Sequence, residues 1–510
     1  MATFVSRSRR PSTKTTNYEG GEAYTMPKDV ELYSAVATFL FQDKFYESSD
    51  DRVARIRTLI TELCDRDDSQ FIGQLAVYAR EKMYLRSVPI ALVVELAGRH
   101  SGDQLVQKVL SRVVQRPDEI MEILAYYQNL NGRIKPLSKQ IQKGLARVFN
   151  KFDEYQFAKY NRKGDITLRD ALFLVHPSPE GDANQSLFDK IVDDGLKTPE
   201  TWETKLSKAG QDVKTPEEKE AAKLKAWVDM IHSGKMGYMA TLRNLRNFIE
   251  AGVDHTHLAL VCEQLADPEK VRKSKQFPFR FLSAYNEIKE LTSPDSAMVV
   301  DALEEAVKAS AANVTGFDRD TRVLIANDVS GSMRGTISPH SKICTREVGL
   351  ILGMILRNHC KSVMTGVFGE KYVTLITPTG GILQSCDSMN TPNVGHSTNG
   401  HLVLRAHEME KDVFDKVFLI TDTQLWNSDS YMWGGGNADA LKAAWSDYKK
   451  NISPEAKLYI IDVAGYGNTP VSIMAPDVYY VAGWSDKVFD VLDAIENGSS
   501  AIEEIRRIKL

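Results

Sequence analysis

The hydrophobic period of the chain changes once, near residue 316, and that change limits the fold more than any other feature. Before it, apolar residues recur at the three-to-four spacing of helices; after it, short apolar runs alternate with amphipathic stretches. The spacing predicts helices over 31–42, 53–64, 69–83, 88–98, 104–114, 120–129 and 136–150, each followed by a short polar joint. Pro117, Pro136 and Pro199 fall at joints, where a missing N–H costs little. The polar stretch 207–219 predicts a loop leading into a helix over 221–232. This is the pattern of stacked helical hairpins, without a strict sequence repeat.

Beyond 316 the pattern predicts strands over 323–327, 363–368, 372–376, 417–421, 458–463 and 478–481, the second and third forming a hairpin near Glu370. Helices are expected over 341–359, 402–410, 438–449 and 485–496. Strands alternating with helices imply a mainly parallel sheet covered on both faces. At 510 residues the chain is too long for one ordinary core, so two parts are expected.

Net charge is −4, so any nucleic-acid site must be a local concentration of positive charge. Residues after 316 hold 19 basic and 23 acidic side chains, those before it 45 of each. Cys64, Cys262, Cys344, Cys360 and Cys386 form no CxxC pair and no zinc-like cluster, which predicts free thiols in a reducing compartment. The first 15 residues are polar and basic, a flexible N-terminus with no secretory apolar core, and no stretch is long enough to span a membrane. A cytoplasmic, soluble protein is expected.

The first predicted strand after 316 runs into Asp328-Val329-Ser330-Gly331-Ser332. One carboxylate and two hydroxyls on a tight loop at the carboxyl end of a strand are hard oxygen donors, suited to a cation such as Mg²⁺. The same residues could simply turn the chain and cap the helix expected from Ser341. The strand 417–421 ends at Asp422, which would share that sheet edge, and Thr398 precedes another helix between the two. Thr421 and Thr423 are rival oxygen donors. The ordered set Asp328, Ser330, Ser332, Thr398, Asp422 resembles the metal-ion-dependent adhesion site of von Willebrand A domains, which implies a binding site for a divalent cation rather than a catalytic one. Neither a phosphate-binding GxxxxGK[ST] loop nor a GxSxG nucleophile elbow occurs.

Two basic clusters stand out in the helical part. Residues 133–169 carry ten basic and three acidic side chains; Lys135, Lys139 and Lys143 fall at i, i+4 and i+8, and Arg147 extends the row. Such a stripe suits a phosphate backbone, and equally suits a solvated helix face. Lys270, Arg272, Lys273, Lys275 and Arg280 are interleaved with Phe277, Phe279 and Phe281, of which Phe279 and Phe281 are expected in the core.

Leu168-Arg169-Asp170-Ala171-Leu172 with Val175-His176-Pro177, Met239-Ala240-Thr241-Leu242-Arg243-Asn244-Leu245, and the segment Val271 to Arg280 are similar to the TROVE domain. With an A domain directly after it, residues 16–510 resemble the Ro autoantigen family, in compact length more a bacterial or phage member than an animal one. The resemblance implies an all-α HEAT-like repeat ring over 16–316 with a central hole, and an α/β Rossmann-like von Willebrand A domain over 317–510. It further implies a non-enzymatic RNA-binding scaffold of a ribonucleoprotein acting in RNA quality control. Y-like noncoding RNA would lie on the outer surface, with Lys159, Arg162, Lys163, Arg169 and His176 as candidates. Single-stranded 3′ ends of misfolded RNA would enter the hole, with Arg272, Lys273 and Lys275 as candidates, and Arg243 is a further RNA-binding candidate assigned to neither surface. An exoribonuclease such as polynucleotide phosphorylase is the implied protein partner. A protein–protein scaffold using the metal site, with RNA secondary, is the competing expectation.

Overall fold

In the computed structural model, residues 12–510 are described apart from 40–43, 45, 133–135, 162–163, 212–214, 311–319, 338–340, 378–380, 429–439 and 486. The expected boundary at 316 lies outside the described residues, and so does most of the N-terminal stretch; Lys14–Thr16, at its end, forms a strand. Contacts divide the chain into two compact units, Met1–Ala54 with Gly237–Ile502, and Arg55–Met236 with Glu503–Leu510.

The second unit is helical. Ser69–Glu81, Ser87–Ala97, Leu105–Val113, Pro117–Asn131 and Lys139–Phe149 follow the predicted order. Local chemistry fixes several starts. Pro117 sits in the first turn of its helix, and Asp153, Thr167, Thr201 and Thr215 each accept a backbone N–H with a side-chain oxygen. The helix expected from 136 begins only at Lys139, so Lys135 precedes it and lies outside the described residues. The stretch 207–219 is not one loop: Trp202–Ala209 is helical and Pro216–His232 starts under its Thr215 cap. A capping signal, Thr-Pro-Glu-Glu, outweighed the polar composition there. A buried ion pair, Arg80 to Glu119 at 2.6 Å, ties two of these helices, and Arg80 Nε also donates to the Val113 carbonyl at 2.9 Å. Gly144 allows close helix contact, because a Cβ there would stand 2.5 Å from Leu110 Cδ1.

The first unit contains a six-stranded sheet built from β3 (Arg322–Asp328), β4 (Ser362–Phe368), β5 (Tyr372–Leu375), β6 (Lys416–Thr421), β7 (Lys457–Asp462) and β9 (Val478–Ala482). The order is β5-β4-β3-β6-β7-β9, with only β5 antiparallel, in the predicted hairpin after β4. All six residues of β6 are buried, as a central strand covered by helices requires. The helix after β3 is Thr345–His359, four residues later than expected, and Ile376 lies beyond β5, fully exposed. A three-stranded sheet joins β1 (Lys14–Thr16), β2 (Glu22–Thr25) and β8 (Asn468–Thr469). The helices Pro278–Ile288 and Ser296–Ser310 also belong to this unit. Glu304 from the latter caps the helix Ile382–Asn390, accepting from the backbone N–H groups of Ile382, Leu383 and Gln384 at 2.8, 2.8 and 3.2 Å. Phe279 and Phe281 are core residues. No described helix is long and apolar enough to cross a membrane, and the five cysteines are unpaired.

Candidate metal centre and nucleic-acid surfaces

β3 and β6 pair in parallel, with Asn327 opposite Ile420, so Asp328 comes level with Thr421 at the carboxyl edge and Asp422 follows one residue on. Asp328 Oδ1 accepts from the Ser330 N–H at 2.9 Å, and its Oδ2 accepts from the Thr421 hydroxyl at 2.6 Å. That turn brings the Ser330 and Ser332 hydroxyls within 3.4 Å of each other. The Gly331 N–H donates to the His396 carbonyl at 3.0 Å, which lays the 396–399 loop against the first loop. Thr398, buried in that loop, accepts through its carbonyl from the Trp426 N–H, fixing it to the chain after Asp422. The five predicted ligand residues thus sit on three loops at one sheet edge, and all are buried. Thr421, considered as a rival, spends its hydroxyl on Asp328. Thr423 holds φ at 68°, a left-handed conformation that a β-branched residue adopts only under strain.

Burial and mutual repulsion make charge on the two aspartates costly. Asp422 is pushed up to about 7, first by burial and then by the charge of Asp328. Burial raises Asp328 to about 6, against the pull of Ser330 and Thr421. Asp422 Oδ2 is buried with no hydrogen-bond partner among the described residues. Carboxylates and hydroxyls, with no sulfur or nitrogen, form a set that fits a hard divalent cation. When bound, such an ion supplies a positive charge that offsets both aspartates and a position for an anionic oxygen.

A third carboxylate, Asp462 at the end of β7, was not foreseen. It adds to the upward push on Asp422. It is itself committed: Oδ1 accepts from the Ala464 and Gly465 N–H groups at 2.7 and 2.8 Å, and Oδ2 accepts from the Tyr480 hydroxyl. The sequence signal was its position, a strand-ending aspartate on the same edge as Asp422. A cluster of His407, Glu410 and Asp412 also has metal-like spacing. Both nitrogens of the buried His407 are engaged, by Tyr372 at 2.8 Å and Asp412 at 2.9 Å, so it serves as a structural tie.

The basic candidates separate between the units. In the helical unit Lys139, Lys143 and Arg147 are exposed on one face of their helix, and Lys159, Arg169 and His176 are exposed on the next two helices. His176 ends its helix in a left-handed conformation and is exposed. Lys135, Arg162 and Lys163 lie outside the described residues. In the other unit Arg243, Arg272, Lys273 and Lys275 are exposed. Glu269 pairs with Arg272 at 2.7 Å and approaches Lys273 at 3.9 Å, which reduces the net charge of that cluster.

Comparison with known proteins places this arrangement. The TROVE domain family matches residues 33–198 and 190–316, and the Ro60 vWA domain family matches residues 322–495. Telomerase protein component 1 of Mus musculus is 25% identical over 320 residues, 46% of this chain and 12% of that protein; the Rattus norvegicus protein is 24% identical over 327 residues, 48% of this chain. The chain therefore spans about an eighth of these curated relatives. The crystal structure of the Deinococcus radiodurans RO (RSR) protein shares the fold, with a TM-score of 0.59 at 18% identity, covering 92% of this chain and 99% of that one. A TROVE region running into a vWA domain of the Ro60 type makes this chain a member of the Ro family of TROVE-domain proteins.

Proposed function

We propose that this chain is an RNA-binding scaffold of a Ro ribonucleoprotein. The observation that carries the reading is the exposed row Lys139, Lys143 and Arg147, continued by Lys159, Arg169 and His176, in a chain whose net charge is negative. Local positive charge against a neutral background favours a confined phosphate footprint over general coating. A Y-like noncoding RNA is assigned to this surface. The surface carrying Arg243, Arg272, Lys273 and Lys275 is assigned to single-stranded 3′ ends of misfolded RNA. The protein acts without chemistry of its own, and degradation of a captured RNA falls to a partner exoribonuclease.

The metal centre is read as Mg²⁺ held by Asp328, Ser330, Ser332, Thr398 and Asp422, with water completing the shell. The open Asp422 Oδ2 favours this reading. The test is binding of structured RNA as a function of salt. Reversing charge at Lys143, Arg147 and Arg169 should weaken binding and flatten the log–log salt slope by about 0.9 per lost phosphate contact on duplex. Unchanged affinity and slope would remove RNA from this surface, and RNA sequenced from the purified native complex identifies the ligand.

A further inference from the structure

The helix Leu168–Val175 buries Leu168, Ala171 and Val175. Its opposite face carries Arg169, Phe173 and His176, at i, i+4 and i+7. Phe173 is 49% exposed, uncommon for a phenylalanine on a helix whose core face is already filled. The Arg169 guanidinium stands 5.8 Å from its ring centre. The preceding helix, Glu154–Tyr160, repeats the device: Tyr155 is 50% exposed, and Lys159, four residues on, stands 5.9 Å from its ring. Both helices pack on Pro117–Asn131.

An aromatic face that packing does not need, with a cation beside it, suits a flat, electron-rich ring joined to an anion. A nucleotide has both parts: the base stacks on the ring and its phosphate meets the arginine. A duplex offers phosphates but keeps its base faces covered. We propose that Phe173 is a base-stacking platform, with Tyr155 a second one, so that this surface selects RNA with unpaired bases rather than uninterrupted duplex. The inference rests on the RNA-binding reading and adds the structural class of RNA to it. Charge on this face supplies affinity, and Phe173 supplies the preference.

The experiment compares a hairpin RNA carrying a uridine loop with a blunt duplex of equal charge, using the full chain. Phe173→Ala should weaken the hairpin about tenfold or more, change the duplex less than about twofold, and leave the salt slope of both unaltered. Phe173→Trp should retain hairpin binding, and its emission should be quenched by the hairpin and not by the duplex. Arg169→Ala serves as the charge control and should weaken both RNAs. If Arg169→Ala weakens both while Phe173→Ala changes neither and Phe173→Trp is not quenched, the stacking inference is overturned and the RNA-binding reading stands. Equal loss on both RNAs from Phe173→Ala also overturns it. If neither charge nor ring variants affect any RNA, this face belongs to another ligand, such as a protein, and both readings fall here.

Discussion

Replacing Asp422 by asparagine tests the metal centre through stability rather than function. In the metal-free protein the Asp422 carboxyl is raised from 3.8 to about 7, chiefly by burial and by Asp328. A group raised on folding binds more protons in the native state than in the unfolded one, so its contribution falls as pH rises through that window. A rise of about three pKa units corresponds to a few kcal/mol, most of it falling between pH 5 and pH 8. Urea denaturation in chelator, followed by tryptophan fluorescence, should show wild type losing stability from pH 5 to pH 8. Asp422→Asn keeps the shape and removes the charge, so in chelator at pH 8 it should be more stable than wild type by a few kcal/mol. Adding Mg²⁺ at a hundred times its dissociation constant should stabilise wild type by about 2.7 kcal/mol and the variant hardly at all. A wild type equally stable at both pH values in chelator, or an asparagine variant less stable there at pH 8, would refute the reasoning.

Three further outcomes are expected. Gly465→Ala should destabilise the A-domain unit by about 2 kcal/mol or more, because φ is +69° and a Cβ would meet Thr38 Oγ1 at 2.2 Å and the Ser34 carbonyl at 2.7 Å; calorimetry checks this. Glu304→Ala strips the acceptor from three backbone N–H groups and should cost about 1 to 3 kcal/mol, seen as faster amide exchange at Ile382, Leu383 and Gln384. Asp328→Ala should abolish the Mg²⁺ response while leaving RNA affinity near wild type; a large loss of affinity with the fold intact would show that metal and RNA share one site.

What the sequence revealed depended on how far apart the cooperating residues lie. The Asp328 loop was legible because its donors are contiguous and follow an apolar strand, and the β4–β5 hairpin because its strands are neighbours. The alternation of strand and helix sufficed for the mainly parallel sheet, since a parallel pair needs a crossover element. Asp462 was missed because its effect on Asp422 runs through space between adjacent strand ends. The hairpin β1–β2 was missed because strands of three and four residues carry little periodicity, and β2 finds its outer partner in β8, a two-residue strand. Phe173 was hidden for another reason: in Leu-Arg-Asp-Ala-Leu-Phe-Leu-Val the apolar residues run together, and only the packing shows which of them the core leaves out.

The tie between the N-terminal hairpin and the chain after β6 also dictates a waiting time during synthesis. Asn17, whose side chain donates to the Leu425 carbonyl, is 408 residues ahead of its partner in the chain. At translation rates of about 5 to 20 residues per second, the N-terminal hairpin is out of the ribosome some 20 to 80 seconds before the A domain it completes. Through that interval β2 is an unpaired edge carrying Ala23 and Tyr24, both buried once folded, and open edges of this kind recruit stray strands. Helices of local sequence span can form long before then, so the order of folding runs against the order of synthesis for this one segment.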